Sequence, residues 1–239
     1  METQSLRIHR LLKLTLLAAI SVVTTVALPV AAGDGEQYRH AQESGRHRNA
    51  VLPARAEPHG YSLADLNRIT AAFNVTDHSG APPALVDGSD DAKFQMLFTT
   101  ASNAFRVKRN KILYVPVLFS DDSPPVIGQF PNVKNREAVL RYIYGKPQVG
   151  LQYSIITIDG KQYPLDERYI AAAKVAPLPD GGGTGAIVSA AFVGPLAKGH
   201  HVVEISSSST GDALAPWCAI VTFCTDNLTF SLAYSVDVD

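Results

Sequence analysis

The chain holds only two cysteines, two methionines and one tryptophan, and charged residues make up 18% of it. Two cysteines are far too few for a disulfide-framework fold. Beyond residue 28 no apolar run approaches the roughly 20 residues that a membrane span needs. Basic excess is lacking too, since 21 Lys/Arg stand against 22 Asp/Glu. A nucleic-acid binder usually shows a basic face, so that class is set aside, and so is an electrostatic binder of membrane surfaces. Gly-x-Ser-x-Gly, Cys-x-x-Cys and the EF-hand spacing are all missing.

What is present is apolar content, 46% of residues, enough to bury a core. The N-terminus points to a compartment. Arg7, Arg10 and Lys13 precede an uncharged apolar run at 14–28, Pro29 closes it, and Val30 and Ala32 stand before a cut after Ala32. Basic, apolar, small is the pattern of a secretory signal peptide over residues 1–32. The run is short for an uncleaved anchor, and no cysteine near the cut offers a lipid attachment. Taking 32 residues from 239, with their three basic and one acidic side chains, leaves 207 residues at a net charge of −3. That length suits one domain with a tail. The expected localisation is secreted or periplasmic, with no membrane insertion after cleavage.

Residues 33–60 are polar, mixed in charge and without apolar period, as expected of a disordered linker or propeptide. His40, His47 and His59 lie there too far apart for a metal tract. The folded domain is expected over 61–239. Ser62 followed by Asp65 reads as a capping box, and Leu66, Ile69 and Phe73 form the apolar stripe of a first helix. A second helix runs from an Asn135 cap to Gly145 and Pro147, burying Val139, Leu140, Ile143 and Tyr144.

The rest reads as strand and turn. Strands are expected at 93–100, on either side of Arg109-Asn110 within 103–119, and on either side of Asp159-Gly160 within 153–165. Asp-Gly suits a tight hairpin, whose central residues need positive φ. Two further strands flank Gly194-Pro195 and Lys198-Gly199. From Leu228 to Val238 apolar and small polar residues alternate strictly, as one buried and one wet face of an antiparallel sheet require. Short strands, frequent turns and two short helices predict an all-β fold, an antiparallel β-sandwich of immunoglobulin-like or jelly-roll-like form, with a closed barrel as the alternative.

The order of segments resembles an uncharacterised family of secreted bacterial β-sandwich proteins. The resemblance is carried by the helix at 61–74, the strand–turn–strand "FRVKRNKILYVPVLFSDDSPP", the "IDGKQYPL" hairpin, "AAFVGPLAKGHHVVEI" and the final alternating strand. It implies the sandwich fold over 61–239 and carries no catalytic residues. Two features depart from the family: the first helix has no tryptophan, and "APWCAIVTFCTDN" makes a long connection into the last strand.

That connection contains both cysteines, Cys218 and Cys224. Along one extended strand they would lie roughly 20 Å apart, whereas a disulfide needs Cα atoms within about 7 Å. A bridge therefore requires residues 219–223 to double back as a loop. Export favours oxidation, and Gly211, Pro216 and the turn-formers at 225–227 frame the reversal, so a disulfide is expected. Two unpaired thiols are the alternative. A zinc site would need two more ligands, for which His200 and His201 are candidates by type only.

Other chemistry is sparse. Adjacent on a strand, His200 and His201 point to opposite faces and do not chelate one ion; His201 shares parity with Val203 and Ile205, as a partly buried ring would. Ser206 to Ser209 form a hydroxyl run expected on a loop. The glycine run at 178–185 lacks the Lys and Ser/Thr of a phosphate loop. Carboxylates crowd residues 87–91 and the pair Asp121 and Asp122. Asn74 and Asn227 begin Asn-x-Thr sequons. No metal and no cofactor is expected. The expected function is a non-enzymatic binding or envelope-associated module, with a polymer or an envelope protein as its ligand. The alternative is a secreted hydrolase or sugar-acting enzyme that uses the loop carboxylates Asp121 and Asp122. A pocket gathering two acids, or an acid and a histidine, would favour the enzyme.

Overall fold

The computed structural model describes residues 50–239 except 77, 222 and 223. The expected signal peptide and most of the expected linker lie outside the described residues. Residues 51–60, placed in that linker by composition, pack onto the domain: Val51 is buried and bridges Val193, and the Leu52 N–H donates to the Phe192 carbonyl at 2.8 Å. One apolar pair, Val51-Leu52, is enough to cover the end of a strand.

In chain order the elements are α1 (Leu63–Asn74), β1 (Phe94–Met96), β2 (Ala104–Val107), β3 (Ile112–Asp121), α2 (Arg136–Tyr144), β4 (Leu151–Ile158), β5 (Lys161–Pro164), β6 (Ile170–Lys174), β7 (Gly185–Val193), β8 (Gly199–Ser209), α3 (Leu214–Val221) and β9 (Leu228–Val238). Single-turn 3-10 helices sit at Pro58–Gly60 and Glu167–Tyr169. The strands form a four-stranded sheet, β1-β3-β7-β6, and a five-stranded sheet, β2-β9-β8-β4-β5. Two separate sheets replace the closed barrel held as the alternative. Nor is the pairing wholly antiparallel. β1 runs parallel to β3 and β2 parallel to β9. The cause is topological: the chain leaves the first sheet after β1, makes β2 in the second, and returns for β3 in its original direction.

β7 is the centre of the domain. All nine of its residues are buried. Ala191 and Val193 face the second sheet, where Ile156, Ile158, Val203, Ile205, Tyr234, Val236 and Val238 meet them, while Ile187, of the same parity, packs with Leu151, Val139, Ile143 and Leu214. Midway, the Ser154 and Ser189 hydroxyls satisfy each other at 3.0 Å across the buried interface. The other parity, Val188, Ala190 and Phe192, packs under α1 against Leu63, Leu66, Phe73, Phe94 and Tyr114. α1 is pinned by Asn67, whose side-chain amide donates to the Ala186 carbonyl at 2.9 Å. Its capping box is formed, with the Ser62 hydroxyl accepting from the Asp65 N–H at 3.2 Å and the Asp65 carboxylate accepting from the Ser62 N–H at 3.0 Å. Asn135 caps α2 in the same way, accepting from the Ala138 N–H at 3.1 Å. Pro116, inside a central strand, falls at a register shift of β3 where the short β1 has already ended. A proline is tolerated at such a bulge because no ladder N–H is lost there.

The expected hairpin and last strand are both present. Asp159 and Gly160 take φ of 50° and 80°, the left-handed pair that the turn requires. β9 alternates as its sequence does, burying Tyr234, Val236 and Val238 and half-burying Leu228, Phe230 and Leu232. Ser206 to Ser209 belong to β8 rather than to a loop, with Ser207 and Ser209 fully buried.

A third helix, α3, stands where an irregular loop was expected. It begins beyond a close approach: a Cβ on Gly150 would lie 2.6 Å from the Gly211 nitrogen. Helical winding shortens the path between the cysteines. Cys218 and Cys224 form the expected disulfide, with Cα atoms 5.0 Å apart. Cys218 is buried with Tyr142, Ile143 and Leu214, so the bridge ties the connection at Cys224 to a helix seated in the core beneath α2. Removing it with Cys218→Ala and Cys224→Ala together should lower stability in urea by about 2 kcal/mol, the chain-entropy value for so short a loop. Thiol titration of the native protein should find no free thiol before reduction.

Candidate functional site

At the free margin of the second sheet, β5 covers only Ile155–Ile158 of β4. The Leu165 N–H makes one more bond, to the Ser154 carbonyl at 2.8 Å, and the chain then turns away through Asp166. The gap it opens is a groove of about 620 Å³ lined by Gln152, Tyr153 and Ile155 from β4, by Pro164 to Arg168, and by Tyr144 at the end of α2. Tyr153 is 42% exposed. Tyr144 is half-buried, and its hydroxyl meets no partner among the described residues. Burial, with the neighbouring charges of Asp166 and Glu167, raises the Tyr144 pKa. The phenol therefore stays protonated and able to donate.

The groove wall is rigid for identifiable reasons. Asp166 caps the Glu167–Tyr169 turn by accepting from the Arg168 N–H at 3.0 Å, and both its oxygens are held by the Arg168 guanidinium. Those hydrogen bonds keep Asp166 below the usual carboxylate range. Arg136, in the first turn of α2, donates to the carbonyls of Glu167 and Ile170. The helix that presents Tyr144 is thus clamped to the turn that presents the acids. The groove gathers two carboxylates, Asp166 and Glu167. One of them, Asp166, is ionised and fully engaged with Arg168, which makes it a fixed acceptor and a poor proton donor.

Asp121 and Asp122 lie elsewhere, at the end of β3 against the glycine loop. Asp122 Oδ1 accepts from the Thr184 and Gly185 N–H groups at 2.7 and 2.8 Å. The Ser123 hydroxyl accepts from the Gly183 N–H at 3.2 Å. A Cβ on Gly183 would lie 2.6 Å from Asp122 Oδ1, so the glycine is what lets the carboxylate approach. Asp121 accepts from the Ser123 N–H at 2.7 Å. Burial pushes its pKa up, and the charges of Asp180 and Asp122 add to that. Neither acid lines the groove along β4. Their geometry is that of a loop staple. Among the described residues no group of three or more His, Cys, Asp and Glu could hold a metal ion. The acids at 87–91 serve turns and an exposed ion pair, Asp90 with Lys108.

No family model, no curated protein and no solved structure matches the chain. Its function is therefore argued from its own side chains.

The two histidines do point to opposite faces. His200 meets Asp237 at 2.9 Å on the outer face. His201 is mostly buried, with Nδ1 2.7 Å from Asp159 Oδ2 and Nε2 2.8 Å from the Ala197 carbonyl. Both partners are acceptors, so the imidazolium satisfies both with an N–H on each nitrogen. Partial burial opposes that charge, and the bonds to Asp159 and Ala197 outweigh it, leaving the His201 pKa above its ordinary value. Asp159, which also accepts from the Val202 N–H at 2.9 Å, is lowered despite its own burial. The pair locks the β4–β5 turn to the β7–β8 connection. The sequon residues differ as well: the Asn74 side chain has buried amide atoms at the end of α1, whereas Asn227 is exposed.

Two outcomes follow from this geometry. Asp122→Ala strands the Thr184 and Gly185 N–H groups and should cost about 1–3 kcal/mol in urea unfolding, without changing what the groove along β4 binds. For His201 the raised pKa places its stabilisation below its unfolded value near 6.5, to be lost as pH rises through the folded value. Wild type should lose stability between roughly pH 5.5 and 8, and His201→Gln should flatten that slope in urea midpoints.

Proposed function

We propose that the chain is an exported, non-enzymatic β-sandwich module that holds a hydroxyl-rich polymer, a glycan chain, in the groove along β4. Membership of the secreted bacterial sandwich family, and an immunoglobulin-like or jelly-roll-like form of the two sheets, belong to the same proposal. Export is supported by the N-terminal pattern and by the Cys218–Cys224 disulfide. An excess of acid argues for a partner that is not a polyanion.

The observation that carries the ligand class is the lining of the groove. Tyr144 and Tyr153 stand beside an amide, two carboxylates and a guanidinium. Ligand sites combine aromatic area with a few polar groups that fix orientation. A sugar ring matches that mixture: its C–H faces lie on aromatic carbon, and its hydroxyls both donate and accept. Gln152 and Glu167 offer acceptors, and Arg168 donates through the Nη1 that Asp166 does not use. The groove is open to solvent, which suits a chain that continues past the site.

The hydrolase reading has two observations in its favour: the groove gathers two carboxylates, Asp166 and Glu167, and burial raises the pKa of Asp121, as catalytic acids are often tuned. Its weakness is that Asp122 is spent on backbone N–H groups. Glycan-array binding with Tyr153→Ala tests the module. Tyr153 is exposed, so the variant should keep the wild-type melting curve while losing ten-fold or more in affinity, about 1.4 kcal/mol. Product release from bound glycans that disappears in Asp121→Asn would replace the binding module with the enzyme.

A further inference from the structure

Sheet edges invite association, and four of the edge strands here are blunted. β1 has three residues, β5 carries Lys161 and Pro164, β6 ends in Lys174, and β2 holds Arg106. Short edges bearing Lys, Arg or Pro discourage pairing with other chains. β9 differs. β8 covers its full length on one side, while β2 covers only Ser235–Val238 on the other. Among the described residues no strand lies along 228–234 on that second side. This stretch, LTFSLAY, has no charge and no proline.

The direction of its free groups can be read from its covered half. The Ser235 N–H donates to Asn103 at 2.9 Å and the Asp239 N–H to Val107 at 3.1 Å, both away from β8. N–H and C=O groups alternate sides along an antiparallel strand. Thr229, Ser231 and Ala233 therefore direct their N–H and C=O outward. Seven residues have a central one, Ser231, and it is one of these three. An antiparallel pairing of the stretch with itself about Ser231 sets Ser231 against its own mate and Thr229 against Ala233. All three residues then exchange both backbone bonds. On the inner face, half-buried Phe230 meets Leu232, and half-buried Leu228 meets Tyr234. Asp226 and Asp237 fall outside the run.

We infer that the free margin of β9 at 228–234 is a self-association surface, at which a second copy of this chain pairs antiparallel about Ser231 to make one continuous ten-stranded sheet. The occupant is a second copy because the run is complementary to itself in hydrogen-bond phase, in length and in lack of charge. The inference is independent of the groove, which lies on the opposite margin of the same sheet.

The test uses protein expressed from the full chain and recovered with its disulfide intact. Sedimentation velocity over a concentration series should show the mass doubling in wild type. Ser231→Pro and, separately, Ala233→Pro remove an outward N–H that β8 does not use, so each should keep the wild-type circular dichroism and lose the doubling. If one fails to fold, the other decides. Antiparallel bonded pairs bring Cα atoms to about 5.5 Å, within disulfide range. Ser231→Cys should accordingly form a reducible covalent dimer and Ser206→Cys, one strand inward, should not. Wild type that stays monomeric to about 1 mM, the level of a contact worth about 4 kcal/mol, overturns the inference. So does a dimer that survives both proline variants. An extended peptide protecting the β9 amides of a strictly monomeric wild type would also overturn it.

Discussion

Burial of β7 on both faces is the constraint from which the rest of the domain follows. A strand with no wet face must be covered twice, and the two covers here differ. The second sheet supplies one and α1 supplies the other, with Phe94 of β1 stacked on Phe192 beneath it. Five of the nine residues of β7 are Gly, Ala or Ser, which lets both layers come close. Polar groups buried in packing this close are mostly paired. Ser189 has Ser154, and the backbone carbonyl of Ala186 has the amide of Asn67. These two contacts set how the layers align, because each would leave a buried polar group unmatched after a small slip.

The groove is a by-product of the same economy of cover. Only part of β4 needs β5, since Leu165 completes the inner layer and the chain is then required at β6, on the other sheet. The crossing segment, Asp166 to Tyr169, has to turn tightly, and an Asp cap with an Arg clamp holds that turn. Polar groups that stabilise the crossover are thereby displayed beside the uncovered part of β4. Function at such a place needs no motif, because the fold has already collected aromatic and polar side chains around a gap. The same logic explains why the more conspicuous acids are tied to backbone N–H groups. Asp121 and Asp122 end a buried strand, and Asp122 with Ser123 supplies acceptors for the N–H groups of Gly183, Thr184 and Gly185 in the loop beside them.

Legibility in the sequence tracks how local each cause was. α1 and α2 could be read because their caps, Ser62 with Asp65 and Asn135, act within three residues. β9 and the Asp159-Gly160 hairpin could be read for the same reason. The disulfide was expected from compartment and count, but its geometry was not, because "APWCAIV" is apolar on every side and carries no cap, so nothing marks it as helix α3. β7 read as a strand without revealing its two covers, since an unbroken apolar run has no period to assign faces. The parallel pairs and the residues at 51–60 depend on partners tens of residues away. The groove draws on 144, 152–155 and 164–168, three segments with no shared pattern. Asp121 and Asp122 stand out in the sequence as adjacent acids, and adjacency is what a loop staple and a catalytic pair have in common.

The last connection shows why a small domain keeps one covalent tie. Register between β8 and β9 is well specified at the end where Val203 and Ile205 stand opposite Tyr234 and Leu232. It is weakly specified at the other end, where Ser206, Ser207, Ser208 and Ser209 face Ser231, Phe230, Thr229 and Leu228. Small hydroxyl side chains pack almost equally well after a two-residue slip, which preserves the inner and outer faces. Cys224 stands four residues before Leu228, and its bond to buried Cys218 limits how far the strand can slide. The bridge thus acts on register where side-chain pattern is silent. The part of β9 nearest the bridge is also the part without β2 beside it, so the tether holds in place the one long margin that the rest of the sheet leaves open.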